Sequence, residues 1–511
     1  MTVDTDCPKV SVVVPTHNCG PHIDRLVASL ARQSLPPGEF EVIFVDDGST
    51  DDTPGRLADL AATHPNFQVV HQENSGWPSR PRNVGVEQAR GEYVFFADDD
   101  DWFADEAIER LYSCARTYDA DIVVGKMAGH GRSVPRELFR KNRFDATLAN
   151  APLIDSLTCH KLFRRAFLDK HELRFAEAPH RRLEDHRMVV RAYLVSGRTC
   201  VLADYTCYHH YRRTDAGNVT ANRLDPAEYY GALREALDIV DAHVPPGALR
   251  DRLHRRWLRN EMAERLRGRR MTDAPEDWIE QVAGEIRQIV RERFAPGVAA
   301  GLPPLHRAIA SLAEQGRVAD LHRLAEWEAG VRAYAEAPRW ELAGATLTVA
   351  FVAQLRAGDR PMRFAADGTE LPLFPVDGIE PPPDAAPAGR PKVDLVACRL
   401  ETREEIFLPV TVDTLRVPDG DALQIRHRAT ATVDFAVFNG GRTRGTWQLK
   451  ARVTGAGWTR DVGLALLVHC AADGAPPRVE YERAFWSRLR RLVTRLRHRP
   501  RRPHQSWESL V

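Results

Sequence analysis

The sequence predicts an α/β domain with a doubly wound, mostly parallel sheet, followed by a helical region and a C-terminal all-β sandwich. Three observations predict it. Roughly the first hundred residues alternate short β-branched runs with amphipathic segments. From Pro226 to about Gly330 the pattern is mostly helical. Beyond Arg339, apolar residues recur at period two between Gly, Pro and Asp.

Lys9–Pro15 (KVSVVVP) reads as a buried parallel strand. His22–Gln33 places Ile23, Leu26, Val27 and Leu30 on one helical face. Glu41–Asp47 (EVIFVDD) is a second strand, Thr53–Thr63 a helix and Phe67–His71 a third strand. The loop NSGWPSRPRN then leads into a helix ending at Ala89. Gly91–Ala97 (GEYVFFA) is a fourth strand and runs into four aspartates, Asp98 to Asp101. In such βαβ order the strands' carboxyl ends form the ligand edge. Pro15–Asn18, Asp46–Ser49 and Asp98–Asp101 all fall there.

Four units are expected: residues 1–225, a helical region 226–335, a β-sandwich 336–480 and a tail 481–511. The Pro-rich segment EPPPDAAPAGRP (Glu380–Pro391) reads as a loop inside the sandwich. In the tail, nine of the residues from Arg483 to Pro503 are arginine, and Phe485, Trp486, Leu489, Leu492, Val493 and Leu496 share one helical face. Such a helix either lies on an anionic membrane surface or docks on the β-domain with its basic face solvated.

Bulk properties narrow the function. A chain of 511 residues exceeds one ordinary core, and 43% apolar with 28% charged residues describes a globular protein. The 71 basic residues balance 71 acidic ones, so no chain-wide attraction to nucleic acid is expected. MTVDTDCPKVSVVVPTHN carries acids where a secretory signal needs bases, and no apolar run approaches membrane-spanning length. The eight cysteines are scattered without a CxxC pair. Neither a zinc site nor a disulfide framework is expected, and a reducing cytoplasmic location is.

Carboxylates clustered at a strand end suit a hard divalent cation, Mn²⁺ or Mg²⁺. Asp98 and Asp100 form an Asp-x-Asp pair there, accompanied by Asp46, Asp47 and Arg82 in their own loops. Asp99 either faces away or touches a ligand, and Asp101 either caps a helix or braces the loop.

The ordered motifs VSVVVPTHN, EVIFVDDGSTDDT, NSG…PRNVG and GEYVFFADDDDW resemble those of family 2 glycosyltransferases with the GT-A fold, over residues 9 to 215. The resemblance implies a nucleotide-sugar donor, usually UDP-linked, at the carboxyl edge of the sheet. It assigns Pro15 and His17 to the first nucleotide loop and Asp47 to the uracil. Arg82, with Arg80 as competitor, falls near the base or phosphates. Asp98 goes to the ribose or metal, Asp100 to the metal. Asp47 as a helix cap and Arg82 as half of a surface ion pair are the bland alternatives.

In HRRLEDHRM, Glu184-Asp185 resembles the element where inverting members carry the general base. Asp185 is the expected base, with Glu184 as alternative or supporting partner. In CYHHYRRTD, His209 or His210 matches a third metal ligand or phosphate contact, and strand alternation lets only one face the metal. Arg212 and Arg213 are expected at the diphosphate.

Basic residues crowd the base in sequence: His160, Lys161, Arg164, Arg165, Arg174, Arg181, Arg182 and Arg187. They suggest an anionic acceptor, or else a solvated charged face. A finer resemblance, to transferases that decorate wall teichoic acid with N-acetylglucosamine, favours a polyol-phosphate acceptor. It also implies an immunoglobulin-like C-terminal domain and oligomerisation through it. A capsule, exopolysaccharide or lipid-linked acceptor, and a catalytically silent polymer-binding scaffold, are the competing readings.

Overall fold

The computed structural model describes residues 7–177, 181–213, 224–379, 391–471 and 475–482. The chain forms two compact units, one ending at Ala329 and one beginning at Gly330, and a segment from Phe374 returns to the first.

The first unit opens with β1 (Val10–Thr16), α1 (Ile23–Ala31), β2 (Phe40–Asp47), α2 (Thr53–Thr63), β3 (Phe67–Gln72), α3 (Ser79–Gln88) and β4 (Tyr93–Phe96). The apolar face expected on α1 is buried through Ile23, Leu26, Val27 and Leu30. Every residue of β2 is buried, as a strand covered on both faces must be. Then follow β5 (Trp102–Phe103), α4 (Ala107–Thr117), β6 (Ile122–His130), β7 (Arg143–Ala146), β8 (Leu162–Arg164), α5 (Arg165–Lys170), α6 (Glu184–Val195) and β9 (Thr199–Tyr211).

The sheet runs β3-β2-β1-β4-β8-β6-β9-β5, with β7 beside β9. Strands β1 to β4 are parallel. The expectation of a mostly parallel sheet holds for that half alone. β8 is antiparallel to both β4 and β6, β5 and β7 are antiparallel to β9, and β6 with β9 is parallel again. The physical reason is connection type: single helices join the first four strands and preserve direction, whereas irregular chain leads into β7 and β8 and lets it reverse.

A second correction concerns NSGWPSRPRN. Its SRPRN part is not loop but the first turns of α3, because a proline early in a helix lacks only a donor that would be unpaired anyway. Gly85 fixes how closely α3 lies on the sheet: a Cβ there would sit 2.2 Å from Val13 Cγ1. Arg82, one helical turn earlier, is thereby pressed over the sheet's carboxyl edge.

The helical region comprises α7 (Pro226–His243), α8 (Ala248–Trp257), α9 (Gly268–Thr272), α10 (Glu276–Arg293), α11 (Pro296–Ala300), α12 (Pro304–Gln315) and α13 (Val318–Ala329). Asp225 caps α7 by accepting from Glu228 N at 2.8 Å. It touches the α/β part through ion pairs of Arg187 with Glu235 and of Arg259 with Asp155, the latter at 2.6 Å.

The second unit is β-rich, with two antiparallel sheets of seven and five strands among the described residues. Its first strand begins at Val331. Two of the period-two stretches each divide into two strands. WELAGATLTVAFVAQL turns at Gly344 (φ +61°) into two paired strands. EEIFLPVTV divides around Pro409 into strands that join different sheets, as a residue without an N–H favours. Phe374 packs edge-on against Trp327 at 6.1 Å, so the chain leading to the Pro-rich segment lies with the helical region. Most of that segment, and the arginine-rich part of the tail, lie outside the described residues. No described helix is long and apolar enough to cross a membrane.

Candidate active site

Three strand ends converge as the βαβ order requires. After β1, Asn18 (φ 49°) turns its amide so that Oδ1 accepts from Thr50 N at 2.8 Å, tying the first loop to the second. His17 is exposed, and its Nδ1 donates to Asp47 O at 2.9 Å. Pro15 is half-buried at the end of β1. Asp47 does not cap α2. Its carboxylate accepts from Gln72 Nε2 (2.6 Å), Ser75 N (2.9 Å) and Ser75 Oγ (2.9 Å), which shapes the loop before α3.

Arg82 is the hub. It is 4% exposed, so its charge cannot rely on water. Nη2 donates to Asp98 Oδ1 at 2.9 Å, and Nη1 donates to Glu184 Oε1 and Asp185 Oδ1 at 3.2 Å each. One guanidinium thus joins the end of β4 to the start of α6. Arg80, two residues away on α3, is exposed and takes no part. Leu183, just before the acidic pair, has left-handed backbone (φ 57°). Such a conformation costs a branched residue of order 1–3 kcal/mol and is held by its surroundings. Here it turns the chain so that Glu184 and Asp185 face Arg82. Burial and the neighbouring Asp185 push Glu184 up to about 7.

A second cluster lies on the other side of Asp98. Ligand atoms of Asp98, Asp101, His160 and His210 all lie within 4.8 Å of one another. Phe96 O can only accept, so the proton of His160 sits on Nδ1, 3.2 Å from that oxygen. Nε2 then turns toward Asp98 Oδ2 (3.5 Å) and Asp101 Oδ2 (3.9 Å). Burial lowers the pKa of His160, which favours a lone pair at that nitrogen. Asp101 is fully buried; its Oδ1 accepts from Tyr211 N at 2.6 Å, while Oδ2 has no hydrogen-bond partner. Burial and the adjacent carboxylates raise Asp99 and Asp101 far above the carboxylate range and Asp100 to about 6. An orphaned oxygen, a facing imidazole nitrogen and frustrated carboxylates together fit a divalent cation.

The convergent set differs from the one the sequence singles out. Asp98 belongs to it; Asp101 and His160 stand in it where Asp100 was expected. Of the two histidines, His210 faces the cluster. His209 points to the opposite side, stacked on Trp102 at 5.0 Å and 6° and hydrogen-bonded to His130 at 3.0 Å. Arg213 bears electrostatically on Asp99 and Asp100, while Arg212 is exposed. The place of His160 in this cluster had no sequence signal: it is about sixty residues from the aspartates and joins them because β8 lies beside β4.

The basic cluster near the base largely dissolves. His160 and Lys161 are buried, Arg187 pairs with Glu235, Arg164 with Asp119, and Arg174 with Asp169. Arg165 donates to Gly91 O. Arg181 is exposed, with Nη1 beside Gly76, and Arg182 lies over the Trp77 ring at 5.6 Å. These last two alone remain near the loop before α3.

Residues 11–171 match the family described as glycosyl transferase family 2, and residues 226–325 match the glycosyl transferase TarS linker domain. The chain is 33% identical over 305 residues to poly(ribitol-phosphate) beta-N-acetylglucosaminyltransferase TarS of Staphylococcus aureus (strain Mu50), covering 58% of this chain and 52% of TarS. It is 30% identical over 237 residues to TarP of Staphylococcus aureus (strain N315), which carries the same enzyme name, covering 44% of this chain and 70% of TarP. The crystal structure of S. aureus TarS 1–349 in complex with UDP-GlcNAc aligns with a TM-score of 0.56 at 25% identity, covering 69% of this chain and 97% of that one. The chain thus spans about half the length of TarS and most of TarP. With a GT-A-like α/β domain, a matching linker and a relative covered over most of its length, this chain belongs to glycosyltransferase family 2.

Proposed function

We propose that the chain moves a sugar from a UDP-sugar, UDP-GlcNAc or one similar, onto a hydroxyl of a polyol-phosphate chain, with inversion at the sugar carbon. The observation that carries this reading is the single buried guanidinium of Arg82, which ties Asp98 to the Glu184–Asp185 pair. The names of TarS and TarP supply the acceptor class; the local surface charge does not.

In this mechanism His17 and the Asp47-shaped loop receive the uracil, and Arg213 faces the diphosphate. Asp98, Asp101, His160 and His210 would hold a divalent ion; with two imidazoles in the set, Mn²⁺ suits it better than Mg²⁺. Such an ion neutralises the charge that grows on a departing diphosphate. Asp185 Oδ1 takes the proton of the acceptor hydroxyl, oriented for this by Arg82.

The test is transfer from UDP-GlcNAc to poly(ribitol phosphate) in the presence of Mn²⁺. Loss of turnover in Asp185→Asn with donor binding kept is the expected result. Undiminished transfer by that variant removes Asp185 from the role. The same reading places the enzyme at the cytoplasmic face of the membrane, with the basic tail on anionic lipid. It also makes the β-rich unit an immunoglobulin-like oligomerisation domain. Liposome flotation with and without the chain beyond Arg483, and light scattering of the full chain, test these two parts.

A further inference from the structure

The sheet carries a second charged concavity, at the opposite strand ends from the carboxylate site. It has a volume of about 570 Å³, and its lining includes Tyr118, Lys141, Arg143, Phe144, Asp145 and Arg198. These residues come from separate stretches: the end of α4, the entry to β7, and the turn before β9. Arg143 pairs in register with Val201 near the start of β9, whereas His210 of the carboxylate site lies nine residues further along that strand. At the rise of an extended strand the two places are roughly 25–30 Å apart.

Its charges are unbalanced. Arg143 Nη1 donates to Leu138 O at 3.2 Å, and Arg198 Nη1 donates to Tyr118 O at 2.9 Å. Carbonyls orient these guanidiniums without neutralising them. Among the described residues no carboxylate pairs with Lys141, Arg143 or Arg198, and Asp145 is exposed and forms no ion pair. Neighbouring arginines behave differently: Arg110 pairs with Glu106, Arg116 with Glu92 and Arg140 with Glu137. The wall is apolar as well, since Tyr118 and Phe144 stack in parallel at 4.0 Å and 6°. Cations beside an apolar wall match a chain in which phosphates alternate with carbon-rich spacers.

We propose that this concavity is a distal subsite that holds a phosphodiester of the acceptor polymer while another part of the same chain reaches Asp185. The inference rests on the polyol-phosphate acceptor named above. A short acceptor spans only the reacting site and gains nothing from the subsite. A long one engages both, and the second contact raises its effective concentration at Asp185.

The experiment uses the full chain and the triple variant Lys141→Ala/Arg143→Ala/Arg198→Ala, with the exposed single change Arg198→Glu as a second variant least able to disturb folding. Binding of fluorescent poly(ribitol phosphate) and of inorganic polyphosphate is measured, then transfer to a two-repeat and to a long acceptor. Both variants should bind both polyanions about tenfold more weakly at low salt. KM for the long acceptor should rise by a similar factor, with kcat and the short-acceptor reaction unchanged. Unchanged binding of both polyanions overturns the subsite, even when transfer proceeds and the acceptor reading stands. Weakened polyphosphate binding without transfer to poly(ribitol phosphate) by any form supports the anion subsite and sinks the acceptor reading instead. A parallel loss with the short acceptor overturns the distal placement.

Discussion

Arg82 and Asp185 lie 3.2 Å apart, nitrogen to oxygen, and the other terminal nitrogen of the same guanidinium reaches Asp98 at 2.9 Å. Arg82 therefore couples two halves of the site, Asp98 and the Glu184–Asp185 pair, that lie almost ninety residues apart in the chain. Removing one partner of a buried ionic group leaves the rest uncompensated, at about 3–5 kcal/mol. Arg82→Met should lower the melting temperature and cut kcat/KM at least about a hundredfold. Arg82→Lys should recover part of the stability and little of the rate, because one ammonium cannot span both directions. Full activity in the lysine variant would show that the bridge is structural only.

The pH dependence follows from Glu184, raised to about 7 by burial and by Asp185. As pH falls through that value Glu184 takes up a proton, and the neighbouring negative charge that makes Asp185 a stronger base is lost. Transfer should therefore rise with pH through the neutral range and level off above it. In Glu184→Gln the shared titration is gone, so the limb should move to lower pH. A profile identical to wild type places the limb elsewhere.

Asp101 and Asp100 distinguish the proposed cation site from its surroundings. Asp101 Oδ2 is buried without a hydrogen-bond partner, and burial holds its carboxyl far above the usual range. Asp101→Asn should raise the melting temperature of the metal-free protein, since folding no longer has to add a proton to this buried acid. The same change should abolish the stabilisation that added Mn²⁺ confers by binding the folded state. Asp100→Asn should retain a Mn²⁺-dependent shift. Differential scanning fluorimetry with and without EDTA reads both. The opposite order would return the metal to the Asp98/Asp100 pair.

Much of the sheet's parallel half was legible because β1, β2 and β4 are short, apolar-rich runs whose order forces their ends together. Asp98, Glu184 and Asp185 were legible through motifs. His160 was not: pairing of β8 with β4 brings it in, and strand pairing at long range leaves no local pattern. The excess of arginines near the base could not be resolved from sequence for a related reason. Counting charges along the chain does not show that Arg164, Arg174 and Arg187 each meet an acid folded against them. Nor does a period-two pattern say which of two sheets a strand joins, as the break at Pro409 illustrates.

The helix bearing the proposed base is braced by the helical region, and this should set the acid limit of stability. His186 follows Asp185 directly, and its Nδ1 accepts from Arg256 Nη1 at 3.5 Å, which in turn donates to Glu261 at 2.7 Å. Burial and the Arg256 charge push His186 down to about 3, against about 6.5 in an unfolded chain. Between these values the unfolded chain binds a proton that the folded chain refuses. Stability from this group is therefore complete above about pH 6.5 and is lost as pH falls toward 3. His186→Gln keeps an acceptor for Arg256 and removes the titration. Its melting temperature should fall less than that of wild type between pH 6.5 and 4.5, measured without metal, with the other buried histidines supplying the remaining slope. If Arg256 and Glu261 also hold Asp185 in place, Glu261→Gln should lower kcat while leaving KM for the donor unchanged. A rise in donor KM alone would confine the network to the fold.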